Sequence, residues 1–290
     1  MKTPQHIAMS GASGFIGTAV GKYLTLCGHH IIPITREILQ KENRALEKIL
    51  SHCDAVINLA GAPINHRWSK SYKQQLYDSR ILVTRKLIEA ANLSSQVKTF
   101  ISTSAVGYYP SGDCYDEFSG HKGNGFLSDL CQAWENEASK LSAEKRLVIT
   151  RFGIVLAAQG GAFEQMIRTV PIGITTIIGS GKQPFSWIDI VDLCRAFEFI
   201  LSTPQLSGII NLTSPEHLTQ KEFMKIMGKH YHTFLTLHIP AFVFKLQMGE
   251  AASFLLKGQC AEPVRLQQSG FSFISPDLES FLKRISPTNL

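Results

Sequence analysis

Ile7-Ala8-Met9-Ser10-Gly11-Ala12-Ser13-Gly14-Phe15-Ile16-Gly17 is the stretch on which the fold turns. A short apolar run ends at Gly11, the first of three glycines at three-residue spacing, and Phe15, Ile16, Ala19, Val20, Tyr23, Leu24 and Cys27 then recur at helical spacing. Gly28 is placed to end that helix, and Ile31–Thr35 reads as a second strand about twenty residues on. Strand, glycine loop and helix in that order form a phosphate cradle. Gly11 permits the tight turn, and Gly14 lets the backbone approach a pyrophosphate. Gly17 lets the helix pack closely on the sheet with its N-terminal N–H groups aimed at the phosphates.

The alternation continues outward. Ala55–Ala60 is a third strand, apolar apart from Asn58. Tyr72, Leu76, Val83, Leu87 and Ala91 mark one long helix, Val97–Ser104 a fourth strand, Leu127 to Leu141 a further helix and Leu147–Arg151 a further strand. Strands alternating with helices imply βαβ units, so the expected class is α/β, a Rossmann doubly wound parallel sheet. Pro33 fits a central strand badly, because it cannot donate to the ladder. Beyond residue 151 glycines punctuate a looser stretch; a helix over about 192–201 and a strand over 208–212 follow. The tail, about 219–285, reads as helices with one sharp turn at Ser269-Gly270-Phe271. The expected division is 1–152 for the dinucleotide-binding domain and 153–290 for a small, mostly helical substrate-binding part, with about 188–212 returning to the sheet.

The chain has 290 residues, 44% of them apolar and 18% charged, which excludes a disordered or fibrous protein. No apolar run reaches the ~18–20 residues of a membrane span, and no signal-like core precedes the first strand. The net charge of +6 is dispersed, which argues against a nucleic-acid partner. Six scattered cysteines with no C-x-x-C pair, several of them in apolar settings where cysteine acts as a small hydrophobe, read as a protein of the reducing cytoplasm with no structural metal, and a chain of this length needs no crosslink. His230-Tyr231-His232 reads as a surface helix end.

The end of the second strand selects the cofactor. An acid there would hold the ribose 2′-OH of NAD, whereas an arginine accommodates the 2′-phosphate of NADP. Thr35-Arg36-Glu37 puts the arginine first with a hydroxyl beside it, favouring NADP(H); Glu37, one residue on, would serve NAD in a shifted register. Asn58-Leu59-Ala60-Gly61 ends the third strand at the same edge, where Leu59, Ala60 and Gly61 can pass under the adenine-linked ribose. Arg80, a lone cation in an apolar-striped helix, is either a salt-bridge partner or a contact to the cofactor's phosphate or ribose.

Together with Asp78-Ser79-Arg80, Ser102–Tyr109, Phe126-Leu127, Trp134-Glu135, Arg151–Leu156, Gly179–Gln183, Trp187–Asp192, Met248–Ala251 and Ser269–Phe271, these residues resemble the extended short-chain dehydrogenase/reductases. The resemblance is to an atypical, sugar-nucleotide-epimerase-like branch, and it spans nearly the whole chain. It implies a Rossmann domain with a small C-terminal substrate part, an arginine after the second strand, and a backbone at Val155 facing the nicotinamide amide. Active members use a Tyr-x-x-x-Lys pair on one helix face, with a serine aligning the substrate oxygen. Ser104 matches the serine. Registering Glu135 against the family puts Leu127 and Cys131 at the pair, on an apolar stripe with Trp134. None of Tyr23, Tyr72, Tyr77, Tyr108, Tyr109, Tyr115 and Tyr231 has a lysine four residues on, so the usual proton relay is absent.

Tyr108 and Tyr109, just past the fourth strand, are the candidate replacements, with Asp116, Glu117, His121 and Lys122 in the following loop as a possible relay. Trp187 reads as packing and Asp192 as a helix cap. The expected protein binds NADP(H), cofactor-binding residues being Gly11, Ser13, Gly14, Phe15, Ile16, Gly17, Thr35, Arg36, Leu59, Ala60, Gly61, Arg80 and Val155. Its partner is a small polar substrate, with neither membrane nor nucleic acid involved, and it is a monomer or homodimer. Its chemistry would be oxidoreduction or epimerisation through hydride transfer at a carbon bearing oxygen; the alternative is a non-catalytic sensor or scaffold shaped by the cofactor.

Overall fold

Strands buried on both faces dictate the architecture. The computed structural model describes residues 3–41 and 43–286. In chain order the first half runs β1 (His6–Ser10), α1 (Phe15–Leu26), β2 (His30–Ile34), α2 (Arg36–Gln40), α3 (Asn43–Leu50), β3 (Ala55–Asn58), α4 (Lys70–Tyr77), α5 (Val83–Leu93), β4 (Thr99–Ala105), β5 (Cys114–Tyr115), α6 (Phe126–Ala138) and β6 (Arg146–Phe152). The second half runs β7 (Ile154–Leu156), α7 (Gly161–Met166), β8 (Ile174–Ile178), β9 (Trp187–Asp189), α8 (Ile190–Ser202), β10 (Gly208–Leu212), α9 (Gln220–His230), β11 (Leu235–Ile239), α10 (Ala241–Met248), α11 (Ala252–Lys257), β12 (Cys260–Ala261), α12 (Val264–Gln268) and α13 (Leu278–Ile285).

Six parallel strands form the main sheet in the order β10-β6-β4-β3-β1-β2. Side chains alternate between its faces. Ile7, Met9, Ala55, Ile57, Ile101 and Val148 pack with α1 and α8 on one face. Ala8, Val56 and Phe100 pack with α3 and α5 on the other. Pro33 pairs with Met9 from the edge strand and is solvent-exposed, so its missing N–H costs the ladder nothing. The chain reverses direction of winding between β1 and β3, and the crevice outside their C-terminal ends is where ligands of such sheets bind.

Several expectations change. The long helix over 72–91 is interrupted by a π-helical turn at Asp78–Leu82, which inserts the Asp78-Ser79-Arg80 segment between α4 and α5. The tail is not wholly helical: β11 pairs in parallel with β8. Helix α8 starts earlier than the apolar stripe suggested, and its cap is Asp189, whose side chain accepts from Val191 N–H. Asp192 sits in the first turn, fully buried, accepting from the Ile274 and Ser275 N–H groups and pairing with Arg195 at 2.8 Å. Trp187 is packing, buried against Phe281.

The cysteines divide. Cys53, Cys131 and Cys194 are buried and free, and Cys27 is exposed. Cys114 and Cys260, 146 residues apart, are disulfide-bonded, a crosslink that the scattered spacing does not signal. The bond joins register partners on β5 and β12, a contact that only the tertiary fold creates. Among the described residues no helix is long and apolar enough to cross a membrane.

Candidate functional site

Gly11 sits at φ +70, and a Cβ there would lie 2.6 Å from the Leu59 carbonyl oxygen. A Cβ at Gly17 would lie 2.1 Å from the Gly11 carbonyl oxygen. Both positions therefore exclude any side chain, and they hold the first turn of α1 against the loop after β3. Gly14 is the N-cap of α1 and offers no side-chain acceptor, so the leading N–H groups remain available to an anion. Ser13 and Phe15 are exposed beside them, while Ile16 packs into the core.

Buried polar residues fix the second wall. Ser10 donates to Asn58 Oδ1 at 2.6 Å, Asn58 donates to Thr84 at 2.8 Å, and the Trp134 indole N–H donates to the same threonine oxygen at 2.8 Å. The Ala60 N–H also reaches Asn58 Oδ1, at 3.3 Å, which sets the Leu59-Ala60-Gly61 turn. The π turn completes this wall. Ser79 accepts from Ala62 N–H at 3.0 Å, and Arg80 donates to the Ala62 carbonyl at 3.0 Å while lying over the Trp134 ring. A Cβ at Gly61 would be 3.1 Å from the Arg80 guanidinium carbon, so the cation lies directly against this turn. Burial lowers its pKa, and no carboxylate among the described residues pairs with it.

At the rim, Thr35 spends its hydroxyl capping α2, accepting from Ile38 N–H. Arg36 and Glu37 follow in the first turn of α2, both exposed. From the second half of the chain, Gly160 and Gly161 lie on the Phe15 ring; a Cβ on Gly161 would come within 2.8 Å of it. Val155 turns its side chain into the core, leaving only its backbone for a ligand. This cradle fits a dinucleotide: two glycines that no Cβ could replace, a helix N-terminus with no side-chain cap, an exposed arginine at the rim and a half-buried one, without a carboxylate partner among the described residues, beneath the β3 turn.

The proton-transfer region is filled differently. Ser104, 1% exposed, donates to Glu135 Oε1 at 2.6 Å. Arg151 holds the same carboxylate with two bonds of 2.8 and 2.7 Å. Burial works against the Arg151 charge, but the paired carboxylate more than offsets it, and its pKa is raised. The guanidinium stacks on Tyr108 at 3.6 Å and lies 4.7 Å from the Tyr109 ring centre. Tyr109 is buried, and its hydroxyl lies 3.0 Å from Asn211 Oδ1 and 3.1 Å from the Asp116 carbonyl oxygen, both acceptors. Tyr108 is half-buried and its hydroxyl has no hydrogen-bond partner among the described residues. Leu127 packs on Gly107, where a Cβ would meet it at 2.6 Å. Burial pushes the Cys131 thiol up to about 12, which keeps it protonated at neutral pH. Of the loop residues, Glu117 is buried and accepts from the Asn211 and Arg265 N–H groups, Lys122 pairs with Asp129, and His121 lies tilted against the Tyr115 ring.

Residues 7–212 match the family described as NAD dependent epimerase/dehydratase. The chain belongs to that family. Residues 239–285 match a second family, a domain of unknown function. An epimerase family protein of Mycobacterium leprae is 37% identical over 92% of this chain and 91% of its own length. A chloroplastic epimerase family protein of Arabidopsis thaliana is 33% identical over 92% and 82%. The crystal structure of human epimerase family protein SDR39U1 with NADPH superposes with a TM-score of 0.89 at 30% identity, covering 98% of this chain and all of that one. These relatives bear out the resemblance to an atypical epimerase-like branch.

Glu135 and Arg151 entered the sequence reading only as landmarks, yet they organise the region beneath Tyr108. Glu135 lies on the buried side of α6 beside Trp134, and Arg151 is a single charge near the end of the buried strand β6.

Proposed function

We propose that this member of the epimerase family binds NADP(H) in the cradle and acts as an oxidoreductase or epimerase on a small polar substrate, without a tyrosine–lysine relay. The observation that carries the cofactor assignment is the side-chain-free glycine loop ending at an open helix N-terminus, with Arg36 exposed at the rim. Backbone N–H groups of the first turn of α1 would hold the pyrophosphate, Arg36 the 2′-phosphate, and Leu59–Gly61 the adenine-side ribose. NADPH in the human relative's crystal supports the same choice. The chemistry a bound nicotinamide supplies is hydride transfer to or from a carbon bearing oxygen.

Of the residues near the strand ends, Tyr108 is the one whose phenol remains available for a proton. Tyr109 is committed to Asn211 and Asp116, and Ser104 to Glu135. Arg151, stacked at 3.6 Å on Tyr108, holds that ring in place. The division near residue 152 into cofactor-binding and substrate-binding parts belongs to this proposal. The test is Tyr108→Phe, assayed by NADPH oxidation against carbonyl compounds and sugar nucleotides. Turnover should fall by ~10²-fold or more with NADPH affinity unchanged, as for loss of a general acid. Unchanged turnover would remove Tyr108 from the mechanism.

A second reading, a non-catalytic NADP(H)-dependent sensor, is favoured by Leu127 and Cys131 filling the relay position. NADPH binding with no turnover across the same substrate panel would select it.

A further inference from the structure

The disulfide Cys114–Cys260 has a neighbour that a simple crosslink does not require. The His217 Nδ1 lies 3.9 Å from Cys114 Sγ, and the two sulfurs and one imidazole nitrogen all fall within 4.8 Å of one another. The other ring nitrogen, Nε2, faces Glu262 Oε1 at 3.4 Å. A carboxylate on the far nitrogen of an imidazole fixes the ring and aims the near nitrogen at a metal. Glu262 is itself anchored by its backbone: its N–H donates to the Tyr115 carbonyl, and its carbonyl accepts from Asn211 Nδ2 at 2.9 Å.

We propose that Cys114, Cys260 and His217 form a redox-gated site for a zinc-class cation. In the oxidised protein the two cysteines are a disulfide and the site is closed. A dithiol reductant opens it: two electrons and two protons pass to the sulfurs, the S–S bond breaks, and the reductant leaves as its own disulfide. The two thiols then release their protons on binding the cation, giving two thiolates and one imidazole with water as the fourth ligand. Zn–S and Zn–N lengths of ~2.3 and ~2.0 Å place tetrahedral sulfur and nitrogen ligands roughly 3.5 Å apart. The present sulfur–nitrogen spacing of 3.9 Å is already close to that. Cys114 is exposed and His217 about half so, which gives the ion and its water a path from solvent. Because β5 follows the loop after Tyr109 and β12 precedes α12, disulfide and metal alike would tie the same two segments together. A dithiol-rich compartment would otherwise leave that tie broken.

The probe is Co²⁺ added to the full chain reduced by a phosphine, which yields phosphine oxide with water as oxygen donor and does not compete as a thiol. The reduced protein should take up one Co²⁺ per chain with the intense d–d and sulfur charge-transfer bands of tetrahedral thiolate ligation, displaced by Zn²⁺. The oxidised protein should show no such bands. Glu262→Gln should weaken binding ~10–100-fold, His217→Ala by more, and the double change Cys114→Ser with Cys260→Ser should abolish the bands while circular dichroism stays native. Bands absent from the reduced wild type, or persisting in the double serine variant, would overturn the proposal. Glu262→Gln binding as tightly as wild type would remove the orienting role assigned to Glu262.

Discussion

In the proposed reading Arg36 carries the choice between the two dinucleotides; it is exposed at the start of α2, while Thr35 is occupied as the cap. A charge-assisted contact of this kind contributes ~1.5–3 kcal/mol, so Arg36→Ala should weaken NADPH by about ten- to a hundred-fold and leave NADH nearly unchanged. Isothermal titration with both cofactors checks it; equal losses for the two would remove the arginine from the 2′-phosphate. Glu135 is the second decisive residue. Its carboxylate neutralises a buried guanidinium and accepts a hydrogen bond from the Ser104 hydroxyl, so Glu135→Gln leaves Arg151 without its counter-charge. Breaking a buried pair by removing one partner costs ~3–5 kcal/mol, which urea denaturation would show as a lower midpoint with unchanged slope. A loss under ~1 kcal/mol would mean that solvent already compensates the charge. The glycine cradle was legible residue by residue because each glycine answers a steric demand. The pairing of Glu135 with Arg151 was not, because their 16-residue separation carries no periodic signal.

Between elements, Glu117 joins the loop after β5 to β10 and α12 through the Asn211 and Arg265 N–H groups. Burial pushes its carboxyl above the ordinary 4.5, against the opposing pull of those N–H groups and the Arg265 charge. The fold thus prefers the protonated form: that contribution is fully present below the ordinary carboxylate value and is lost as pH rises through the raised one. Glu117→Gln fixes the group uncharged. The melting temperature of the variant minus that of wild type should be flat at acid pH and climb towards neutrality. A difference independent of pH would show that Glu117 does not titrate in this way. The βαβ elements themselves were readable because strands buried on both faces leave unbroken apolar runs. Strand β11 was not: nearly all of its residues are exposed, so no buried face distinguishes it from the helices around it. The α8 cap was misplaced by three residues because Asp189 and Asp192 both precede apolar positions. Only the docking of Ile274 and Ser275 on Asp192 tells the two apart.

Across the whole molecule, two of the ties that hold the C-terminal segment join residues far apart in the chain. At one, Asp189 at the head of α8 takes two bonds from Arg284 and one from Ser275. At the other, Cys260 is bonded to Cys114 across 146 residues of chain. A chain of this length has core enough to fold without a crosslink, so the bond adds stability to a fold that survives its loss. Closing so long a loop restricts the unfolded chain and contributes ~2–4 kcal/mol in typical cases. Cys114→Ser with Cys260→Ser should therefore remain folded, bind NADPH as wild type does, and unfold in urea at a stability lower by about that amount. Phosphine-reduced wild type in metal-free buffer should match the double variant, since both lack the same constraint. If the oxidised and reduced proteins unfold at one midpoint, the two strands are held by their packing alone, and the disulfide leaves the stability of the fold unchanged.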